Sequence, residues 1–311
     1  MPFAGRSLIV ILGPTAIGKT SLALDVAEAV NGEIVGADSR QVYRYMDIGT
    51  AKPTAEQSRR VRHHLIDIVE PDEPLGLAQY QRKTYSAIDA IQRRGNLPLL
   101  VGGTGQYISA VIEGWSIPEV APNLVLRAEL EQFAARNGSQ ALHERLRVHD
   151  AVAADRIHPN NVRRVVRALE VCLESGLPFS ELQRKKPPPY QIMQVGLTMD
   201  RDQLYQKADR RVDQMLDAGF LEEVQGLLER GYDRSLPSMS GLGYAQFTAH
   251  LLDGIPLDEA IATTKTATHD FIRRQFTWFR GHDPGVLWHN MVNVQSSQVI
   301  NVIGRWLEEQ G

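Results

Sequence analysis

The sequence predicts an α/β fold, in which a core with a central parallel sheet flanked by helices carries a helical insertion domain. Short apolar, β-branched segments alternate with segments of helical periodicity in the first third of the chain, which is typical of a parallel sheet. Between Ser116 and Pro189 only helical patterns remain. Loops that follow parallel strands meet at one edge of the sheet, so we expect the ligand site at that edge.

Turn signals close the predicted strands of the first part of the chain. Gly13-Pro14 follows the first strand, Asp38-Ser39 follows the second, and "GGTGQY" follows the fourth. The predicted strands are Ser7–Leu12, Glu33–Ala37, His64–Val69 and Leu97–Val101. The helices predicted between them are Thr20–Val30 and Leu75–Arg94, each closed by a glycine or asparagine.

A proline-rich linker, "QRKKPPPY", divides the remaining chain because it cannot continue a helix. The helices predicted before it are Leu124–Asn137, Gln140–Val148 and Pro159–Ser175. The elements predicted after it are the strand Ile192–Met199, helical segments at Arg201–Arg230, Tyr244–Leu252 and Leu257–Arg280, and an edge strand at Val286–His289. These patterns predict a core of residues 1–115 and 190–311, with a helical C-terminal part, and an insertion domain of residues 116–189.

Composition indicates an ordinary globular protein of the cytoplasm. The 311 residues carry a formal net charge of -3, so the whole molecule gives no sign of nucleic-acid binding, and only local basic clusters could provide it. Apolar runs fall short of the roughly 20 residues that span a membrane. The single cysteine, Cys172, excludes an internal disulfide, and the histidines lack metal-site spacing. Neither a membrane nor an obligate protein partner is expected.

The segment "GPTAIGKT", Gly13 to Thr20, has the spacing of a phosphate-binding P-loop, a motif typical of ATP-binding proteins. It lies between a predicted strand and a predicted helix, which is the context that the motif requires. Backbone amides of the loop and of the helix N-terminus would hold phosphate oxygens, Lys19 would reach a terminal phosphate, and Thr20 would bind Mg²⁺. The residues expected to hold the phosphates are Gly13, Pro14, Thr15, Ala16, Ile17, Gly18, Lys19 and Thr20.

The P-loop alone does not identify the reaction. A triphosphatase normally carries a second acid after another strand, but "LPLLV" is followed by Gly102–Gly105 without an acid. Asp38 ends a strand near the loop, and its carboxylate could act in catalysis or cap a turn. A small-molecule kinase using ATP and Mg²⁺ and a non-catalytic RNA-binding ATPase switch are therefore alternatives to the interpretation that follows.

Six segments together resemble the bacterial tRNA dimethylallyltransferases, also called tRNA isopentenyltransferases. They are "GPTAIGKT", "GADSRQVYRYMDIGTAKPT", "HHLIDIVEP", "VGGTGQYISAVIEG", "HPNNVRRVVRALEV" and "FIRRQFTWFR", and they occur in the family order over most of the chain. The resemblance implies transfer of a dimethylallyl group from dimethylallyl diphosphate to N6 of the adenosine 3′ of the anticodon, in tRNAs reading codons beginning with U. Pyrophosphate would leave, so the P-loop would hold a diphosphate.

The resemblance also implies roles for individual residues. Asp38 would act as the base that takes a proton from the amine, with Lys19 and Thr20, through Mg²⁺, stabilising the leaving group. The partners would be dimethylallyl diphosphate and the anticodon stem-loop of tRNA, which the insertion domain would contact. The residues expected to bind tRNA are Asp38, Ser39, Arg40, Gln41, Thr104, Arg127, Val162, Arg163, Arg164, Val165, Val166, Arg167, Gly243, Tyr244, Arg273, Arg274 and Arg280.

Some of these positions also have simpler explanations. Ser39 and Gln41 could hold the adenine or only face solvent, and Thr104 could belong to a strand-to-helix turn that its neighbouring glycines alone would satisfy. The aromatic residues of "FIRRQFTWFR" could stack on bases, but at helical spacing they are more often core residues. We expect Phe276 and Phe279 to be buried and some of the arginines to face RNA or pyrophosphate.

Overall fold

The computed structural model describes residues 6–118, 120–182, 184–282 and 285–310, with only the backbone described for His282. Within these residues, six parallel strands form one sheet in the order β3-β2-β4-β1-β5-β6. The strands are β1 (Ser7–Leu12), β2 (Gly32–Ala37), β3 (His63–His64), β4 (Leu97–Gly102), β5 (Gln191–Thr198) and β6 (Val286–Asn290). The predicted α/β fold is therefore confirmed.

Helices follow the strands and supply the insertion. They are α1 (Lys19–Ala29), α2 (Ala55–Arg60), α3 (Leu77–Arg93), α4 (Gly105–Ile112), α5 (Leu124–Asn137), α6 (Ser139–His149), α7 (Ala151–Arg156), α8 (Val162–Ser175), α9 (Phe179–Leu182), α10 (Arg201–Asp217), α11 (Phe220–Glu229), α12 (Tyr244–Asp253), α13 (Leu257–His282) and α14 (Ser296–Gln310). A short 3₁₀ helix, Ser238–Ser240, precedes α12. No helix in the described part of the chain is long and apolar enough to cross a membrane.

The core is built around β1, whose residues are all buried. Ile9 and Ile11 pack with Leu22 and Val26 of α1, on the side of the sheet where α14 also packs. Continuous burial explains why this strand is an unbroken apolar run rather than an alternating one. The rigid strand brings Leu12 to the edge of the sheet where the P-loop begins.

Several element boundaries differ from those predicted, and local backbone geometry explains the differences. The third strand is only His63–His64 instead of His64–Val69, because Leu65 and Asp67 have positive φ angles of 63° and 55° and leave the extended conformation. The predicted helical segment Arg201–Arg230 is two helices, since Gly219 (φ 97°) begins α11 after the end of α10. No helix range was predicted for α2, α4, α7, α9 or α14.

The chain divides into two compact units. One unit contains the described residues up to Val111 and from Pro189 onward, and the other is Ile112–Pro188. The second unit has its own core of buried apolar side chains, including Leu142, Leu146 and Leu169. The contacts therefore define the insertion as Ile112–Pro188, compared with the predicted 116–189.

Candidate phosphate-binding and transfer site

The loop between β1 and α1 leaves the amides at the start of α1 without a side-chain cap. Gly18 is the N-cap residue with φ 110°, a left-handed conformation that a residue with a Cβ rarely adopts. No side chain accepts a hydrogen bond at this cap, and the first turn of α1 contains no acidic residue. Amides that point outward at a helix N-terminus, together with the helix dipole, form an anion-binding site.

Lys19 is folded back onto this loop. Its Nζ donates hydrogen bonds to the carbonyl oxygens of Gly13 at 2.9 Å and Pro14 at 2.7 Å. Burial lowers the pKa of Lys19 from 10.5 to about 7; the carboxylate of Asp38 opposes this change, and the Arg211 guanidinium adds to it. An anion bound beside Lys19 would favour the charged ammonium form.

Asp38 follows β2 and performs the turn-capping role that its sequence context allowed. Its Oδ1 accepts a hydrogen bond from the backbone N–H of Arg40 at 2.8 Å. The neighbouring Ser39 N–H donates to Oγ1 of Thr104 at 3.0 Å, which joins the loop after β2 to the loop after β4. Asp38 also lines a cavity, described next, so the cap and a chemical role are compatible.

A cavity of about 290 Å³ lies beyond the carboxyl ends of the strands. Its polar wall includes Thr15, Asp38, Ser39, Thr104 and Arg211, and its apolar wall includes Val212, Met215, Phe220, Tyr244 and Phe271. The P-loop, the Asp38 carboxylate and an apolar surface therefore line one cavity. Such an enclosure suits a ligand with an anionic end and an apolar part.

Arg40 and Gln41 use their side chains to hold neighbouring loops. The Arg40 guanidinium donates to the carbonyl oxygens of Pro237 and Ser238. The Nε2 of Gln41 donates at 3.0 Å to the carbonyl oxygens of both Thr50 and Ala51, and Gln41 is not among the described residues that line the cavity. The amide nitrogen of Gln41 is thus engaged within the protein, so its Nε2 does not face solvent, and contact between Gln41 and the adenine stays a prediction.

Arg211 and Gln275 belong to the site although the sequence analysis did not select them. Arg211 lines the cavity from α10; burial lowers its pKa and the charge of Asp38 opposes that change. Gln275 of α13 accepts a hydrogen bond from the Thr15 N–H and donates to the carbonyl of Gly103. A polar residue at a buried position on the core face of each helix is the signal that could have identified them.

The Gln275 contact also corrects one expectation for the P-loop. The N–H of Thr15 was expected to hold phosphate, but it points to Oε1 of Gln275 at 2.9 Å. Thr15 still lines the cavity through its other atoms, as does Ala16, whose φ is 62°. The amides left for an anion are those further along the loop and at the start of α1.

The predicted tRNA residues of α8 separate into exposed, paired and buried positions. Arg163 and Arg164 are exposed, and Val162 is half-buried. Arg167 is paired with Glu170, as is Arg127 from α5. Val165 and Val166 are 0% and 2% exposed and lie in the core of the insertion, so RNA contact through their side chains is wrong for this conformation.

The predicted tRNA residues of α13, which are Arg273, Arg274 and Arg280, are exposed. Arg274 lines the cavity, Arg273 forms an ion pair with Asp270, and the Arg280 guanidinium carbon lies 5.5 Å from the ring centroid of Phe276. Phe279 is buried as expected, whereas Phe276 is only half-buried.

Gly243 and Tyr244, the other predicted tRNA residues, lie at the start of α12. Tyr244 is buried, although it lines the cavity, and its hydroxyl donates to Oε1 of Glu223 at 2.6 Å. Gly243 has φ 81°, and a Cβ there would lie 2.4 Å from the Phe220 ring.

The fold and the site define a P-loop α/β protein in which a carboxylate and the P-loop line one cavity. Comparison with known proteins gives the particular family. The family model described as IPP transferase matches residues 41–282, and the model described as Isopentenyl transferase matches residues 6–73.

Named relatives agree with the family models. The tRNA dimethylallyltransferase of Chloroflexus aurantiacus (strain ATCC 29366 / DSM 635 / J-10-fl) is 56% identical over 275 residues, covering 88% of this chain and 93% of that protein. That of Dehalococcoides mccartyi is 45% identical over 304 residues, covering 98% and 94%.

Solved structures extend the likeness to the fold. The tRNA isopentenylpyrophosphate transferase of Bacillus halodurans superposes with a TM-score of 0.73 at 42% identity, covering 98% of both chains. A eukaryotic dimethylallyltransferase described as acting on tRNA gives a TM-score of 0.84 at 25% identity, covering 98% of this chain and 80% of that one. The chain therefore belongs to the tRNA dimethylallyltransferase family.

Proposed function

We propose that this protein transfers a dimethylallyl group from dimethylallyl diphosphate to N6 of the adenosine 3′ of the anticodon, in tRNAs that read codons beginning with U. The names of the relatives support a tRNA substrate, and they favour this reaction over a small-molecule kinase. The observation that carries the proposal is that Asp38 and the P-loop residue Thr15 line the same cavity as an apolar wall. A base, a diphosphate site and room for a short hydrocarbon are the three requirements of prenyl transfer.

The reaction is a nucleophilic substitution at an allylic carbon. A new C–N bond forms between adenine N6 and that carbon, while the C–O bond to the diphosphate breaks and the oxygen keeps the electron pair. The amine is a poor nucleophile because its lone pair is delocalised into the ring, so removal of its proton assists bond formation. The Asp38 carboxylate accepts that proton, and its cap on the Arg40 N–H fixes its orientation.

Positive groups stabilise the negative charge that develops on the leaving oxygen. Lys19 shares this task with Arg211 and with the uncapped amides of α1. Lys19 donates hydrogen bonds to the carbonyls of Gly13 and Pro14, so binding a diphosphate would exchange these contacts for ionic ones. Stabilisation that increases with the developing charge accelerates the chemical step.

Mg²⁺ is the proposed cofactor, held chiefly through the diphosphate oxygens. The described residues contain no group of three or more His, Cys, Asp or Glu side chains that could hold a metal ion. Thr20 is exposed at the start of α1, beside the predicted phosphates, and offers one hydroxyl oxygen. One protein ligand plus phosphate oxygens and water fits Mg²⁺, which would neutralise part of the leaving-group charge.

Exposed arginines provide the proposed tRNA contacts. Arg163 and Arg164 lie at the start of α8 in the insertion unit, and Arg274 lies at the cavity of the core unit. A target adenine must leave its stack to reach Asp38, which costs a few kcal/mol that backbone contacts offset. A tRNA substrate supports a cytoplasmic location for the protein.

Replacing Asp38 by Asn tests the assignment of the base. Asn keeps an oxygen that can accept from the Arg40 N–H, so the turn survives while the base is lost. We expect label transfer from radiolabelled dimethylallyl diphosphate to unmodified tRNA to fall by about 10²- to 10⁴-fold, with tRNA affinity nearly unchanged. Asp233→Asn is the matched control, because Asp233 caps the Ser235 N–H in the same way on an exposed turn.

Two results would contradict different parts of the proposal, the role of Asp38 and the reaction itself. Transfer by Asp38→Asn at close to the wild-type rate would remove Asp38 from the role of base. Wild-type protein that leaves tRNA unlabelled but releases phosphate from ATP would overturn the transferase reaction itself and support the kinase or ATPase alternative.

A further inference from the structure

We propose that Gln275 is a positioning residue, which holds the P-loop in its ligand-binding shape by bridging Thr15 to the loop after β4. Its Oε1 accepts from the Thr15 N–H at 2.9 Å, and its Nε2 donates to the Gly103 carbonyl at 2.8 Å. The side chain therefore links three elements that are distant in sequence: the P-loop, the loop after β4, and α13. Only the measurement of KM and kcat, in the test given below, rests on the proposed function.

The bridge is enclosed. Gln275 is 6% exposed and its hydrogen bond to the Gly103 carbonyl is buried, so water could replace that bond only if the structure opened. A Cβ added to Gly103 would lie 2.5 Å from Nε2 of Gln275, 3.3 Å from the Gly13 carbonyl oxygen and 3.4 Å from Nζ of Lys19. Gln275, the first P-loop residue and the phosphate-binding lysine thus converge on the same glycine.

Because Gln275 contacts the P-loop, a movement of Gln275 would also move the loop residues that Lys19 contacts. Lys19 donates to the Gly13 and Pro14 carbonyls, and the next residue, Thr15, is the one that Gln275 holds. If that hold is lost, the stretch that carries both lysine acceptors loses its anchor to α13. A shift of about 1 Å in a ligand-positioning group can cost about a hundredfold in rate.

The chemistry of the bridge requires an amide. The carboxamide presents one acceptor and one donor on the same carbon, and it matches an N–H on one side and a carbonyl on the other. Methionine has similar length but offers neither partner. Ionised glutamate keeps the acceptor and places negative charge against the Gly103 carbonyl, whereas protonated glutamic acid regains a donor.

The same helix also carries cavity residues. Phe271 and Arg274 of α13 line the cavity, so Gln275 fixes the P-loop relative to the helix that forms this wall. Gln275 therefore contributes to the distance between the diphosphate and the acceptor site. Loss of the bridge should weaken diphosphate binding and turnover together, and should affect tRNA affinity much less.

Binding of inorganic pyrophosphate, measured by calorimetry, tests the bridge without requiring transfer. We expect Gln275→Met to weaken this binding by about tenfold to a hundredfold, and to raise KM for dimethylallyl diphosphate while lowering kcat. Gln92→Met is the matched control, because Gln92 donates a comparable hydrogen bond to the Ser7 carbonyl at the other end of β1. It should lower thermal stability less than Gln275→Met does, because Gln92 is half-buried and donates this single bond, and it should leave pyrophosphate affinity unchanged.

Gln275→Glu adds a readout that a purely structural role would not produce. Measured relative to wild type at each pH, its pyrophosphate affinity should be poor at pH 8 and recover toward pH 5.5, as the buried acid gains a proton and can donate to Gly103. Gln275→Met should show a constant deficit across the same range.

The outcomes separate the two proposals. Wild-type pyrophosphate affinity in Gln275→Met, an equal loss in Gln92→Met, or a Gln275→Glu deficit that does not change with pH would each overturn the positioning role. A wild-type protein that binds pyrophosphate, loses it as described in the variants, and yet transfers no dimethylallyl group would defeat the proposed function alone.

Discussion

Replacing Glu170 by Gln should selectively destabilise the insertion unit. Glu170 lies on α8 with 0% of its surface exposed. Its carboxylate accepts from the Asn123 N–H at 2.8 Å, from two nitrogens of Arg127 at 2.8 Å each, and from Arg167. Burial alone would raise the pKa of this carboxyl, but these hydrogen bonds outweigh it and lower the pKa below the ordinary value.

The expected cost follows from these contacts. A hydrogen bond to a charged group contributes about 1.5–3 kcal/mol. The Arg127 and Arg167 side chains are 33% and 31% exposed, so solvent screening reduces each pair to roughly half of that value. Gln keeps an acceptor for the Asn123 N–H, so the two weakened pairs give a loss of about 1.5–3 kcal/mol in the free energy of unfolding. In a unit of this size that corresponds to a fall in Tm of about 6–24 °C.

Native-state hydrogen exchange measures this loss within the protein. Amides of Val165–Cys172 in α8 should exchange faster, while those of Leu8–Leu12 in β1 provide an internal reference in the other unit. Glu174→Gln is the matched control, because Glu174 is exposed one turn later on α8 and accepts from the Asn123 side chain. Protection in α8 equal to that of wild type would refute the view that Arg127 and Arg167 anchor this unit.

Two further predictions concern the ligands. Replacing Arg163 and Arg164 with Ala should weaken tRNA binding and reduce the slope of log affinity against log salt by about 0.7 for each lost phosphate contact, without changing stability; an unchanged slope in a filter-binding titration would contradict this. Because the folded-state pKa of Lys19 is depressed to about 7, its cation is lost as pH rises through 7, so sulfate affinity should fall above that pH. Lys19→Arg should show little pH dependence, and a flat wild-type profile would exclude the lowered pKa.

The sequence allowed prediction of the features that depend on local chemistry. A buried strand, a glycine-rich turn and a helix N-terminus are adjacent in the chain, so the anion site between β1 and α1 could be recognised from spacing alone. The same holds for α5, whose bounds Leu124–Asn137 were predicted as the structure has them.

Other features depend on residues that are far apart in the chain. Gln275 contacts Thr15, which is 260 positions away in the sequence, and no local sequence pattern predicts that contact. Burial of Val165 and Val166 depends on how α8 packs within the insertion, which a match to a sequence motif does not specify. The third strand was overestimated because apolar residues continue after His64, whereas the backbone turns at Leu65.

The strand order has a consequence for the geometry of the reaction. β4 lies between β1, which leads into the P-loop, and β2, which leads to Asp38. Two interstrand steps place their ends about 10 Å apart. An acid at the end of β4 would lie one step from the phosphates, within reach of a bound metal, but that strand ends in glycines. Under the proposed function, the reacting carbon and the attacking amine would lie across this separation, between the departing oxygen and the Asp38 carboxylate.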